Sequence, residues 1–252
     1  MIHYCISIAL MLLLSCTACS SSDPMEGEET VDDQEVTFIY AQGTFADTPL
    51  PYRKAAIAAF KGQSPAVVVY LHGGSCKGTD NEKTVREKGV GLIADYLNTR
   101  RIPAVLIVPQ CPTDKSWGGS MCASLKALID NCLASDHADT QRIYLLGGSM
   151  GGTGTWEMVN AYPSLFAAAM PVAGNPSKCN AQRVAETPVL TVMGTADKIM
   201  SVETAANFIA LMQQAGGQCR MDTEEGWSHE VTCTESYTSE RLAWLFAHTR
   251  KQ

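Results

Sequence analysis

A serine stands at the centre of a glycine-rich segment whose spacing is that of an acyl-transfer nucleophile. The segment Gly147–Gly151 has the pattern Gly-x-Ser-x-Gly, with Ser149 in the middle. An apolar run at 143–146 precedes the segment, and a stretch of helical character follows it. A strand, a sharp turn and a helix in that order hold a serine hydroxyl above the edge of a sheet. The pattern predicts Ser149 as a nucleophile, flanked by Gly148 and Gly151 where a Cβ would clash.

A serine nucleophile needs a base to take its proton and an acid to orient that base. In proteins that carry this turn, the acid and then the base follow the serine along the chain. Asp197 follows the apolar run 188–194, and His229 follows another short strand. The alternatives are that Asp197 caps a helix beginning near Ser201 and that His229 is an ordinary surface residue. Of the five histidines, only His229 has the expected position.

Two backbone N–H groups are expected to stabilise the oxyanion of the tetrahedral intermediate. One belongs to Met150, the residue after the serine. The other is expected from the loop that follows the apolar run 67–72, with Gly74 as the better candidate and Ser75 as the alternative. His72, at the start of this loop, is expected to brace the turn and not to act as a base.

Further motifs accompany these residues from about Phe45 to the C-terminus. They are Pro51-Tyr52-Arg53, Tyr70-Leu71-His72-Gly73-Gly74, Gly78-Thr79-Asp80-Asn81, Val108-Pro109-Gln110-Cys111-Pro112 with Trp117, Gly148–Trp156, Tyr162-Pro163 and Phe166-Ala167-Ala168. With them the chain resembles serine esterases of the α/β-hydrolase fold, in the branch related to dienelactone hydrolase and prolyl oligopeptidase. Within this branch it resembles the bacterial esterases that include acetyl xylan and feruloyl esterases. Dienelactone hydrolase itself has cysteine at the turn, so Ser149 argues against that activity.

Strand and helix patterns alternate from residue 36 onward, which predicts an α/β domain with a mostly parallel sheet and helices on both faces. The gap between Gly174 and Pro188 is too short for the helical cap that many lipases of this fold insert, so no cap domain is expected. Strands are predicted near 36–40, 66–72, 104–109, 142–147, 167–173, 188–194 and 218–224, with 51–59 as another candidate, and helices at 120–134, at 201–215 and at the C-terminus.

Two tryptophans are candidates for contact with the substrate. Trp117 and Trp227 come from loops at the edge of the sheet where Ser149 is expected. Without a cap this edge should be open to solvent, and the two rings are predicted to line a pocket for an acyl group or a sugar. The alternative is that each ring packs beneath its own loop.

The N-terminus predicts export. Residues 1–15 have the character of a lipoprotein signal peptide, because the apolar stretch Ile6–Leu14 is too short to span a bilayer and ends near a cysteine. Cys16 resembles the lipidated first residue of a bacterial lipoprotein, while Cys19 and a plain secretory leader are the alternatives. The predicted location is the bacterial outer membrane, on its periplasmic face or at the cell surface, with the lipid anchor as the only membrane contact.

Charge is distributed unevenly along the chain. Residues 16–35 contain seven acidic residues and no basic one, which predicts an acidic disordered tether. The whole chain has 26 acidic and 19 basic residues. Residues 36–252, the predicted catalytic domain, are therefore balanced in charge. A balanced domain without a basic stretch argues against a nucleic-acid partner.

Cysteine content and the absence of cofactor motifs complete the prediction for the site. Seven of the ten cysteines fall within residues 36–252, and export permits disulfides. The odd number leaves at least one thiol free, and Cys219 with Cys233 is the preferred pair. The sequence has no pattern typical of a metal site or of a phosphate-binding loop, so neither a metal nor a cofactor is predicted.

The leading hypothesis is a serine carboxylic-ester hydrolase that acts through an acyl-enzyme. Its expected substrates are short or aromatic acyl esters of carbohydrates, either small molecules or attached to a polymer. One alternative is a serine peptidase of the prolyl oligopeptidase type, which is disfavoured because no propeller domain precedes the catalytic part. The other is a non-catalytic, anchored binding protein.

Overall fold

An eight-stranded sheet forms the centre of the structure. The computed structural model describes residues 36–58 and 62–250. The predicted signal peptide and tether, including Cys16, lie outside the described residues. The strands are β1 (Ile39–Phe45), β2 (Thr48–Ile57), β3 (Ala66–Leu71), β4 (Ala104–Pro109), β5 (Ile143–Gly148), β6 (Ala168–Val172), β7 (Val189–Gly194) and β8 (Cys219–Glu224).

The sheet is mostly parallel. Its strand order is β1-β2-β4-β3-β5-β6-β7-β8. The pairs β1/β2 and β2/β4 are antiparallel, and the other neighbouring strands are parallel. Every residue of β3, β4 and β5 is buried. Because helices cover both faces of such strands, their sequences are continuous apolar runs and not alternating patterns.

Helices pack on both faces of the sheet, which confirms the predicted α/β-hydrolase fold. They are α1 (Lys88–Thr99), α2 (Met121–Ser135), α3 (Met150–Ala161), α4 (Ala181–Val184), α5 (Val202–Gln214), α6 (His229–Glu235) and α7 (Ser239–Phe246). Apolar side chains of α2, α3 and α5 form one core with Val67 and Val69. Those of α1 and α7 form a second core with Val68 and Tyr70. Successive side chains of a strand point to opposite faces, so β3 contributes to both cores.

Helix α1 is an element that the sequence analysis missed. Its two glycines weaken the helical pattern. Val90, Ile93 and Leu97 are nevertheless buried at helical spacing along one face. Gly89 has a packing reason, because a Cβ added there would lie 2.6 Å from the ring of Tyr237. Tertiary packing therefore outweighs the low helix propensity of this segment.

The first two strands form a hairpin that is shifted from the predicted positions. The strand expected at 36–40 begins only at Ile39, and the candidate strand at 51–59 belongs to the longer β2. The turn residues Ala46 and Asp47 have φ values of 44° and 63°. Such left-handed residues match the twist of the two strands in a tight hairpin turn.

The connection between β6 and β7 holds only the four-residue helix α4. A cap domain is therefore absent from this connection, as predicted. Strands β5, β7 and β8 run in the same direction, so their carboxyl ends meet at one edge of the sheet. Ser149, Asp197 and His229 all follow strands at this edge, where open α/β sheets bind their ligands.

The predicted disulfide between Cys219 and Cys233 is wrong. All seven cysteines of the described residues are free thiols. Cys219 packs against the core that contains α5, and Cys233 packs against the core on the other face of the sheet. The sheet therefore separates the two sulfur atoms, although both residues lie close to His229 in the sequence.

The described residues contain neither a membrane-spanning helix nor a metal-binding cluster. Within 36–58 and 62–250, no helix is both long enough and apolar enough to cross a membrane. The same residues contain no group of three or more His, Cys, Asp or Glu side chains placed to hold a metal ion.

Candidate active site

Ser149 occupies a sharp turn between β5 and α3. Its φ of 58° lies in the left-handed region, which residues other than glycine rarely adopt. The Ser149 N–H donates to the carbonyl oxygen of Val172 at the end of β6 over 3.0 Å. This hydrogen bond ties the strained turn to the neighbouring strand, so the surrounding sheet holds the serine in place.

Close backbone contacts explain two of the glycines beside Ser149. A Cβ added at Gly147 would lie 2.6 Å from the backbone of Gly151. A Cβ added at Gly151 would lie 1.8 Å from the carbonyl oxygen of Leu71. At Gly148 the nearest atoms would be at 3.6 Å, which is an ordinary van der Waals contact. The prediction that Gly148 excludes a Cβ is therefore wrong, and Gly147 has this constraint instead.

We expect Gly148→Ala to change the free energy of unfolding little, whereas Gly151→Ala should lower it by about 3 kcal/mol or more. The reason is that the new methyl group at Gly151 meets backbone atoms, which cannot rotate away. Urea denaturation of both variants beside the wild type measures the difference. Equal stability of the two alanine variants would show that the turn is not constrained as described.

The side chains of Ser149, His229 and Asp197 form a continuous chain of hydrogen bonds. His229 Nε2 lies 2.7 Å from Ser149 Oγ, and His229 Nδ1 lies 2.7 Å from Asp197 Oδ2. The Asp197 side chain is fully buried, while the imidazole retains 16% of its exposure. A carboxylate only accepts hydrogen bonds, so Nδ1 carries a proton and Nε2 is free to accept the serine proton.

The loops around the acid and the base explain their orientation. Asp197 Oδ1 accepts the backbone N–H groups of Ile199 at 2.8 Å and Met200 at 2.9 Å. Ser201, and not Asp197, caps α5, since its hydroxyl accepts the Thr204 N–H. His229 is the first residue of α6 and not part of a loop. Ser228, the N-cap residue of α6, accepts the N–H of Val231.

The predicted oxyanion donors lie next to the nucleophile. Met150 begins α3, where backbone N–H groups have no partner within the helix. The Gly73 N–H is bonded to the Glu87 carboxylate over 3.0 Å, so it is not available to a substrate. Gly74 follows, and its N–H makes no hydrogen bond with the described part of the chain. A Cβ added at Gly74 would have no atom within 4 Å, so this backbone borders open space.

His72 braces the loop, as predicted. It is fully buried, and its Nε2 accepts the N–H of Cys111 over 2.9 Å. The other ring nitrogen, Nδ1, then donates to the carbonyl oxygen of Gly73 over 2.6 Å. Burial lowers the pKa of His72, which keeps the ring neutral in this role.

Trp117 packs beneath its loop, against the prediction that it contacts the substrate. The residue is only 2% exposed, and its indole N–H donates to the carbonyl oxygen of His72 over 3.0 Å. The two rings meet edge to face at 5.1 Å. An indole needs a hydrogen-bond acceptor when it is buried. Here the acceptor belongs to the loop at residues 72–75, which contains the predicted donor Gly74 and is called the oxyanion loop. Trp117 therefore supports that loop and leaves no surface for a ligand.

Trp227 is partly exposed, and its contact with a substrate stays a prediction. It is half-buried and lies two residues before His229. The Trp227 carbonyl oxygen accepts the N–H of Ala196 over 3.1 Å, which joins the loop of the acid to the loop of the base. Gly194 permits this approach, since a Cβ there would lie 2.3 Å from the same oxygen.

Two further residues adjoin the site, and the sequence does not predict a role for either of them there. Glu87 binds the oxyanion loop, and Cys233 Sγ lies 3.9 Å from His229 Nε2. Burial raises the pKa of Cys233 to about 12, with further contributions from Glu87 and Asp197, so this thiol stays protonated. Cys233 lies one helical turn after His229, a spacing that places both on one side of α6. Glu87 had no such signal, because α1 was not predicted.

This chain matches the model of a known protein family. The model of the dienelactone hydrolase family matches residues 113–244, which is more than half of the chain and contains Ser149, Asp197 and His229. Poly(3-hydroxyalkanoate) depolymerase C from Paucimonas lemoignei is 40% identical over 68 residues, which cover 27% of this chain and 16% of that protein.

A relative with a longer alignment and a solved structure are both named esterases. Feruloyl esterase B from Neurospora crassa is 29% identical over 143 residues, covering 49% of this chain and 44% of that protein. The crystal structure of a thermostable esterase superposes with a TM-score of 0.77 at 27% identity, over 84% of this chain and 63% of the other. This chain therefore spans less than two thirds of each of these three proteins.

Proposed function

This chain belongs to the dienelactone hydrolase family, and we propose that it is a serine esterase that hydrolyses carboxylic esters with Ser149, His229 and Asp197. The hydrogen-bond chain through these three side chains, with 2.7 Å at each link, carries the proposal. Relatives that are named esterases support the reaction class. A serine at the turn favours this chemistry over that of dienelactone hydrolase itself.

The first half of the proposed reaction transfers the acyl group to the enzyme. His229 Nε2 takes the Ser149 proton as Oγ attacks the ester carbonyl carbon and forms a tetrahedral oxyanion. The backbone N–H groups of Gly74 and Met150 stabilise this oxyanion. His229 then gives the proton to the leaving alkoxide, the carbon–oxygen bond breaks, and the alcohol departs from the acyl-enzyme.

The second half regenerates the free serine. His229 takes a proton from water, the hydroxide attacks the acyl carbon, and the same two N–H groups stabilise the second oxyanion. Collapse of this intermediate releases the carboxylic acid and returns the proton to Ser149 Oγ. Asp197 stays ionised throughout, holds His229 in the productive tautomer and stabilises the imidazolium form. No cofactor is required for these steps.

For the substrate we propose a short or aromatic acyl ester of a carbohydrate, either small or attached to a polymer. The connection between β6 and β7 has no cap that would shelter a long acyl chain. Trp227 is half-buried beside the base, and Ile199, two residues after Asp197, is 68% exposed. These side chains offer apolar surface to an aromatic acyl group, and a relative named feruloyl esterase is consistent with that choice.

The acyl preference is tested with acetyl, butyryl and dodecanoyl esters of one chromogenic alcohol, followed by methyl ferulate and acetylated xylan. We expect kcat/KM to be highest for the short esters and methyl ferulate to be accepted. A tenfold preference for dodecanoyl over acetyl esters, equivalent to about 1.4 kcal/mol of transition-state binding, would contradict the proposal and indicate a lipase.

We further propose that the protein is exported and anchored to the bacterial outer membrane through a lipid on Cys16. The support is the sequence alone, in which an apolar stretch at Ile6–Leu14 is followed by small residues and cysteine. The acidic segment 16–35 would then hold the catalytic domain away from anionic headgroups, which is a poor arrangement for hydrolysis of membrane lipids.

Cys16→Ala is expected to release the protein from membrane fractions or to block its maturation. The reason is that a lipoprotein requires cysteine as its first mature residue. Fractionation of cells that express the variant, with Cys19→Ala as the matched control, measures the effect. Membrane retention of Cys16→Ala together with release of Cys19→Ala would indicate that the lipid is attached to Cys19 and not to Cys16.

A further inference from the structure

We infer that Glu87 is a positioning residue that sets the orientation of the loop carrying the oxyanion donor. The inference rests on the proposed esterase function. Glu87 directly precedes α1 and lies outside the triad and outside the motifs that identify the nucleophile. It is half-buried, and its carboxylate reaches the segment that runs from the end of β3 into the loop.

One carboxylate binds three points of this segment. Glu87 Oε2 accepts the hydroxyl of Tyr70 over 2.9 Å, and Oε1 accepts the backbone N–H of Gly73 over 3.0 Å. The thiol of Cys76 also donates to Oε1, over 3.3 Å. Hydrogen bonds to an ionised acceptor are stronger than those between neutral groups. Glu87 therefore fixes the end of the strand and both ends of the short turn that follows.

These contacts decide which N–H faces the substrate. The Gly73 N–H points to Glu87, while the Gly73 carbonyl oxygen accepts the Nδ1–H of His72 and the N–H of Cys76. With both polar groups of Gly73 engaged, its two peptide planes are held in place. The next N–H along the chain, that of Gly74, is left for the oxyanion. The loop lies beside the nucleophile, since a Cβ added at Gly73 would be 3.8 Å from Ser149 Cβ.

Tyr70, which donates to Glu87 Oε2, is itself held in place. Tyr70 is 2% exposed and meets Tyr237 edge to face at 5.6 Å. Burial, followed by Tyr237 and Glu87, raises the pKa of Tyr70 well above its usual range, so the phenol remains a protonated donor. Gly89, the second residue of α1, brings the helix against both tyrosines, because a Cβ there would lie 3.0 Å from the Tyr70 hydroxyl oxygen. The packing of the start of α1 against these two tyrosines thus keeps the Glu87 carboxylate within hydrogen-bond distance of Tyr70.

Glu87 and Trp117 contact the oxyanion loop in different ways. The Trp117 indole donates to the carbonyl oxygen of His72, whereas Glu87 accepts the N–H of the next residue. Only Glu87 engages the Gly73 N–H, which could otherwise turn toward the substrate in place of the Gly74 N–H. Loss of the carboxylate leaves the peptide between His72 and Gly73 with only the bond from Trp117, so this peptide can tilt and the Gly74 N–H that follows is held less firmly.

The test compares Glu87→Ala, Glu87→Gln and Lys88→Ala with the wild type. For Glu87→Ala we expect kcat for 4-nitrophenyl acetate to fall on the order of 10-fold to 100-fold, with KM changed less than about 2-fold. The affinity for a trifluoromethyl ketone, which adds to Ser149 and forms an oxyanion, should fall by a similar factor. Glu87→Gln should restore most of both losses, because its amide oxygen accepts the Gly73 N–H and its amide nitrogen donates to Tyr70.

Lys88→Ala is the matched control, because it removes the exposed ion pair with Glu235 from the adjacent position and should leave kcat unchanged. A lower melting temperature of Glu87→Ala with unchanged kcat and ketone affinity would overturn the inference. If Glu87→Ala does not fold, Tyr70→Phe removes one of the same contacts, and unchanged kcat and ketone affinity in that variant would equally overturn it. A wild-type protein that hydrolyses no ester would instead refute the proposed function.

Discussion

Ser149→Ala and His229→Ala are each expected to lower kcat for ester hydrolysis by on the order of 10⁴-fold or more. The hydrogen bond of 2.7 Å between Oγ and Nε2 makes the two groups one unit, because the serine is a weak nucleophile unless its proton is removed. The double variant should therefore be hardly less active than either single variant. Steady-state kinetics on an acetyl ester measure all three rates.

A control is provided by the thiol that borders the same nitrogen. Cys233 Sγ lies 3.9 Å from His229 Nε2, so Cys233→Ser tests whether this sulfur takes part in the reaction. We expect that variant to keep most of the wild-type kcat, because burial raises the pKa of the thiol to about 12. Residual activity in Ser149→Ala that disappears on adding Cys233→Ser would assign the nucleophile to the thiol and contradict the account.

Asp197→Asn is expected to have the second largest effect, a loss in kcat on the order of 10³-fold to 10⁴-fold. The N–H groups of Ile199 and Met200 both point at Oδ1, so an asparagine would keep its oxygen there. Its NH₂ group would then face Nδ1 of His229 and donate to it. This favours the tautomer with the proton on Nε2, which cannot accept the proton of Ser149.

Ser201→Ala is the control for Asp197→Asn, since it disturbs the same connection without touching His229. Loss of this helix cap should cost about 1 kcal/mol of stability and leave kcat unchanged. Kinetics and thermal unfolding of both variants separate the two effects. Full activity of Asp197→Asn would place the acid elsewhere and show that the loop after β7 has another role.

The parts of the protein that follow local rules could be predicted from the sequence. The strands β3, β4, β5 and β7 are fully buried, so each appears as a nearly continuous apolar run, which only Thr191 of β7 interrupts. The turn around Ser149 has a glycine pattern that close backbone contacts require. These features depend on residues that are close together in the chain or on the order in which the strands occur along it, and both can be read from the sequence.

The remaining parts depend on tertiary contacts that leave no local signal. The loop of Trp117 reaches the catalytic edge, which predicts contact with a substrate, but its indole N–H donates to the buried carbonyl oxygen of His72. Glu87 could not be connected with Gly73, since that contact exists only after α1 packs against β3. The face of the sheet against which Cys233 packs depends on α6, a helix that begins at His229, directly after the cap residue Ser228.

The most direct measurement of the central claim is labelling of the folded protein with a fluorophosphonate probe, followed by mass spectrometry of the labelled peptide. The probe reacts with a serine only where a base activates it. We predict one probe per protein molecule, attached to Ser149, with parallel loss of ester hydrolysis and with no labelling of Ser149→Ala or His229→Ala. A folded wild-type protein that remains unlabelled, or that carries the probe on another residue, would contradict the assignment of Ser149 as the nucleophile of an esterase.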